Sequence, residues 1–162
     1  MATVSTTDPA AASAVGQPGL VAWVRRTLVL GVSRSSPAPL QVFIIGTMVL
    51  GAATIVATGA IHLHLWMIGY KNIASIGNLF LAQSISGFVL GPVIVLFRRM
   101  YVVLAGAAFM AASVGGLVLS ATVGFLGLHD ALSVPWATPS LIVEIVGFVL
   151  LAASGIGLVV RR

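Results

Sequence analysis

Residues 42–61 read VFIIGTMVLGAATIVATGAI, twenty positions without a charged side chain. The hydrocarbon layer of a bilayer is about 30 Å thick, and a helix rising about 1.5 Å per residue crosses it in about 20 residues. Three further runs meet that requirement. Residues 73–97 (IASIGNLFLAQSISGFVLGPVIVLF) and 100–128 carry no charge, and residues 140–160 (SLIVEIVGFVLLAASGIGLVV) carry one, Glu144. The run from 100 is longer than one crossing needs, so its end passes into a loop. The pattern predicts an all-α fold: an antiparallel bundle of four transmembrane helices, spanning about 41–63, 73–97, 100–125 and 140–160. A β-barrel is disfavoured because the runs are continuous rather than alternating.

Composition points the same way. The chain is 59% apolar and only 7% charged, whereas a soluble domain is about 25% charged. A globule in water would lack polar surface to cover it. The formal net charge is +5, but seven of the eight cations sit beside apolar blocks. They read as membrane-flanking anchors and not as a nucleic-acid surface. There is no cysteine, which removes disulfides, thiolate metal sites and a thiol nucleophile.

The cations set an orientation. Arg25, Arg26 and Arg34 precede the first span, Arg98 and Arg99 join the second to the third, and Arg161 and Arg162 follow the fourth. Alternating spans put all seven on one side and leave Lys71 on the other, so both termini are expected in the cytoplasm. The short 98–99 junction predicts a tight hairpin of spans two and three. Ahead of residues 40–162, the transmembrane domain, residues 1–19 are rich in Ala, Ser, Thr, Pro and Gly and are expected to be disordered. Residues 20–39 form a linker with a candidate interfacial helix, in which Leu20, Val21, Val24, Leu28 and Val32 share a face. A basic flank without fixed structure is the alternative. A secretory signal peptide is not expected, because the first apolar run begins after residue 40 and exceeds the roughly 7–15 residues of such signals.

Lipid tails are as apolar as Leu, so spans associate by close approach and hydrogen bonding. Span two carries Gly87 and Gly91. Span three carries Ala108, Ala112, Gly116, Ser120 and Gly124, and span four Ala153 and Gly157. Positions four apart stay near one helix face, so these are expected helix contacts, within the bundle or in a homodimer through Gly87 and Gly91. Pro92 should kink or end the regular part of span two.

Polar groups at depth are costly in a bilayer and mark function. Alternating directions place His62, His64, Lys71, Asn78, His129, Asp130 and Glu144 in one outer-leaflet layer, with Trp66, Tyr70 and Trp136 at the interface. Gln83 lies nearer mid-span. Four roles are open to that layer. One is structural, Glu144 bonding His62 or Asn78 or pairing with Lys71. A second is a Zn or Cu site built on His62, His64 and Glu144, with His129 or Asp130. Residues two apart on a helix point about 200° from each other, so this needs the helix to end near His62. A third is a haem between His62 and His129. The last is a proton-transfer or transport site at Glu144 with a His. No cofactor is required by any motif, and no catalytic residue is identified.

The segment Ile61-His62-Leu63-His64-Leu65-Trp66, then Gly69-Tyr70-Lys71, then Ile76-Gly77-Asn78-Leu79-Phe80-Leu81-Ala82-Gln83 resembles a set of small four-span integral membrane proteins of high-GC bacteria. The resemblance implies a multi-pass protein of the bacterial cytoplasmic (inner) membrane and brings no activity with it. The short loops and small-residue columns point to a non-catalytic accessory or assembly subunit, its partners being the lipid bilayer and other membrane subunits. The alternative is an outer-leaflet ligand, metal or proton site serving transport or a membrane-embedded enzyme.

Overall fold

In hydrocarbon no water is present to bond backbone N–H and C=O groups, so long apolar runs satisfy them internally as helices. The computed structural model describes residues 19–32, 37–126 and 135–160. Most of the tail up to residue 19, together with Arg34, His129, Asp130, Arg161 and Arg162, lies outside the described residues. The helices are α1 (Leu20–Leu28), α2 (Ala38–Ile68), α3 (Ile76–Phe97), α4 (Met100–Thr122) and α5 (Ala137–Val160). Helices α2 to α5 are each long and apolar enough to cross a membrane. The fold is an all-α bundle, and the described residues contain no strand beyond an isolated bridge between Gly31 and Arg99.

Local chemistry sets the helix ends. Pro39 falls in the first turn of α2, where its missing N–H would have no helical partner anyway. The helix then runs 31 residues, about 46 Å at 1.5 Å per residue. It continues past His62 and His64 to Ile68 and stops at Gly69, whose φ is 153°. A 3-10 turn, Tyr70–Asn72, leads on to α3. Helix α3 continues beyond Pro92 to Phe97 and so does not end at the proline. Arg98 adopts the left-handed conformation, φ 48° and ψ 38°, and its N–H bonds the Ile94 carbonyl. The chain thus reverses within two residues. The Met100 N–H donates to Leu30 O at 2.7 Å, and Arg99 Nη1 donates to Val29 O at 3.0 Å. These bonds seat the segment after α1 on the α3–α4 turn. Helix α1 itself leaves Leu20, Val21, Trp23 and Val24 exposed beside exposed Arg25 and Arg26.

Helix α2 packs closely on both α3 and α5, and α5 packs closely on α4. The α3–α4 seam is the loose one. The two helices meet near their shared turn, where Gly106 lies against Ile94, and further on they are in light contact. The tight hairpin expected from the 98–99 junction therefore holds at the turn and opens away from it. The close α2–α3 approach is a backbone crossing. A Cβ on Gly87 would stand 2.9 Å from Ile55 O and 3.0 Å from the Cα of Gly59. One on Gly91 would stand 3.0 Å from Ala52 O. Gly87 and Gly91 are thus covered by α2 of the same chain.

The bundle has two unlike halves. The half at the arginine turn holds an apolar core of Ile44, Met48, Ile55, Ile94, Met110, Leu151 and Leu158. The half at the Trp66 end holds the buried His62, Ser113, Ser140 and Glu144. Outward-facing positions are apolar, as at Val42, Leu50, Val89, Val118 and Val149, which suits contact with lipid.

Gly87→Leu should therefore destabilise the monomer itself, by roughly 1–3 kcal/mol, read as unfolding in mixed detergent micelles. Gly46→Ala, where a Cβ meets no atom within 4 Å, should leave stability unchanged or raise it by up to about 1 kcal/mol.

Candidate functional site

Glu144 lies on α5 one turn after Ser140, so both side chains face the same way along the helix. The Ser140 hydroxyl donates to Glu144 Oε1 at 2.8 Å. The Ser113 hydroxyl, from α4, donates to the same oxygen at 2.5 Å. Gln83 Nε2, from α3, donates in turn to Ser113 Oγ. A single relay thus joins α3, α4 and α5, and it bridges the seam that backbone packing leaves open. Glu144 is 1% exposed. Its second oxygen, Oε2, is buried and has no hydrogen-bond partner among the described residues. That is an expensive state for a carboxyl group in an apolar bundle.

His62 faces the same region from α2 and is buried. Its Nδ1 lies 2.9 Å from the Thr58 carbonyl. A carbonyl only accepts, so Nδ1 carries the hydrogen and the neutral ring keeps its lone pair on Nε2. The ring packs on Phe80 at 4.9 Å between centroids, and Phe80 stacks on Tyr70 at 4.9 Å.

These groups wall a cavity of ≈ 520 Å³, within the roughly 300–1,000 Å³ of small-molecule sites. His62, Gln83, Ser86, Ser113, Ser120, Ser140 and Glu144 supply its polar wall. Tyr70, Phe80, Phe109, Phe125 and Trp136 supply aromatic faces. No Lys or Arg among the described residues lines it. The small residues of α4 explain the space. A Cβ on Gly115 or Gly116 would meet no atom within 4 Å, and Ala112 lines the cavity too. Side chains of this size let helices approach, but here α3 stands away and they leave a gap.

The outer-layer residues separate in the structure. His62 and Glu144 share the cavity wall. His64 turns to the edge of Trp136, 5.2 Å between centroids. Lys71 is exposed, its ammonium 5.7 Å from the Trp66 ring centroid, and Asn78 is exposed. His129 and Asp130 lie outside the described residues, so the His62–His129 haem pair does too. Helix α2 does not end at His62, which was the condition for His62 and His64 to serve one ion. Among the described residues no three His, Cys, Asp or Glu side chains are grouped to hold a metal. Of the small-residue positions on span three, Ala108 and Ala112 are exposed, Gly116 borders the cavity and Ser120 is buried in its wall. Gly124 lies beyond the end of α4 with φ 82°, a turn conformation that favours glycine, and not in a helix–helix contact. Ser113 and Ser140 were not singled out by the sequence. Ser140 was detectable as a hydroxyl four residues before the lone acid. Ser113 was not, since only tertiary packing brings it to Glu144.

No protein-family model, curated protein or solved structure matches this chain. What the cavity takes is therefore inferred from the chemistry of its described residues: one carboxyl group, four serine hydroxyls, a phenol, an amide, an imidazole and several rings.

The relay is open to a double-mutant cycle. Gln83→Ala and Glu144→Gln should couple by about 0.5–1.5 kcal/mol in mixed-micelle unfolding, and the coupling should vanish in a Ser113→Ala background.

Proposed function

We propose that this protein is a non-catalytic, ligand-binding membrane protein whose site is the cavity between α3 and α4. It takes an amphiphilic small molecule from the bilayer through the loose seam, as a binding component in transport. One observation carries this reading: a 1%-exposed carboxyl group with an unpartnered oxygen in the wall of a ≈ 520 Å³ cavity. Polar groups in a bilayer are kept for function when their own chain does not satisfy them. The arginine distribution supports placing this half of the bundle in the outer leaflet of a bacterial inner membrane, with both termini in the cytoplasm.

The accessory-subunit reading keeps one observation in its favour. Ala108 and Ala112 lie four apart on α4 and are exposed, a small-residue face that a helix of another subunit would fit. The two readings are compatible if the ligand-binding chain works inside a larger complex.

Gly116→Leu places a side chain into the open space of the cavity. Protein purified in mild detergent should release a bound small molecule on denaturation, detected by mass spectrometry, and Gly116→Leu of equal thermal stability should release less than about a tenth as much. Equal recovery from both proteins would contradict the reading.

A further inference from the structure

We infer that the ligand of this cavity is a lipophilic organic cation, which takes the place of a proton on Glu144. This rests on the ligand-binding reading above and gives it a chemical class.

The wall selects by charge. Among the described residues its one acidic side chain is Glu144, and no Lys or Arg lines it. An anionic ligand would enter a space of low dielectric beside a carboxyl group with no cation to meet it, which is the costly arrangement. A small inorganic cation needs about six or more oxygen ligands, or several strong donors arranged around it. This wall is instead dominated by rings and aliphatic groups. A bulky cation with its charge spread over an apolar framework fits both features. It meets one counter-charge at Glu144 and the lining aromatic side chains Phe109, Phe125 and Trp136, a ring type that attracts cations through its quadrupole. Its apolar framework also lets it arrive through the lipid.

The carboxyl geometry agrees. The hydroxyls of Ser113 and Ser140 both donate to Oε1. That fixes the group, and Oε2, itself buried, is left without a hydrogen-bond partner among the described residues. With the cavity empty, no Lys or Arg among the described residues of the wall balances a charge on this carboxyl group. When the cation enters, the proton leaves to water and the carboxylate pairs with the cation. One positive charge replaces another, and no bond to carbon is made or broken.

Among the described residues few other titratable groups face Glu144. Helix α2 contributes His62, whose Nδ1 is committed to Thr58 O, and the 3-10 turn contributes Tyr70. The contributions of α3 and α4, Gln83 and the serines, do not titrate. Lys71 sits over Trp66, and His64 against Trp136.

The test uses the full chain in phosphatidylcholine nanodiscs and three probes of similar size: tetraphenylphosphonium, the anion tetraphenylborate and neutral triphenylphosphine oxide. Tetraphenylphosphonium should bind one per chain, and more tightly as pH rises, by up to about tenfold per pH unit while Glu144 is protonated. Calorimetry in two buffers of different ionisation enthalpy should show close to one proton released at the low-pH end. Glu144→Gln should remove the pH dependence and weaken binding at least about tenfold, while Glu144→Asp keeps the pH dependence. Proton release is measured on the unaltered chain, so the test stands even if a variant fails to fold. Binding of the cation without proton release, or undiminished in folded Glu144→Gln, would overturn the inference. So would binding of none of the probes. If triphenylphosphine oxide binds in preference and Gly116→Leu blocks it, the cation class falls and the ligand-binding reading stands. If Gly116→Leu blocks no probe, the ligand-binding reading falls with it.

Discussion

A carboxyl group inside an apolar bundle has to be met by its own chain, and that requirement organises half of this protein. Glu144 draws a hydroxyl from its own helix, a second from α4 and, through it, an amide from α3. Helices α4 and α5 also pack directly on each other, whereas α3 and α4 meet only lightly away from their shared turn. The hydrogen bonds reach where backbone packing does not, and they leave one oxygen over. Removing the acid would remove the reason for the serines and for Gln83 to lie where they do.

The rest of the bundle makes this arrangement affordable in stability. In the arginine-turn half, Ile, Leu and Met side chains fill the interior, and Gly59, Gly87 and Gly91 bring α2 and α3 into backbone contact. Ser154 adds a hydroxyl bridge to Thr47 across α5 and α2, at 2.8 Å. That half holds the four helices in register, so the other half can stay open without the bundle coming apart. Helix α2, close to α3 on one side and α5 on the other, is the shared wall of both halves. The same spacing of small residues that closes α3 onto α2 is present on α4, at Ala112 and Gly116, without closing it on α3. Whether small residues make a contact or a cavity is decided by where the neighbouring helix stands.

Much of the fold was legible in the sequence, because charge-free runs of about 20 residues have few structural outcomes. That His62 and Glu144 lie at one level of the bundle was legible as well, since alternating chain direction fixes relative depth. Rotation about each helix axis was not. Asn78 and Lys71 share the layer of Glu144 yet face outward, and His64 turns away from His62 because α2 runs on as a helix. Depth follows from counting residues, whereas facing depends on which side a neighbour packs. The role of Ser113 is the clearest case: nothing in its surroundings on α4 distinguishes it, and only the placement of α5 brings it to Glu144. The Gly59–Gly87 crossing was half visible, with Gly87 marked by its spacing and Gly59 found only by contact.

The central claim is that α3 and α4 part to expose a cavity beside Glu144, and the absence of native cysteines allows it to be probed directly. Single-cysteine proteins, Gly116→Cys in the cavity wall and Ser154→Cys in the apolar core, would be exposed to a membrane-permeant maleimide in nanodiscs and their labelling rates compared. An open seam predicts rapid labelling at 116 and none at 154 on the same timescale. Equal protection at both positions would show that the α3–α4 seam is closed, and would contradict the account.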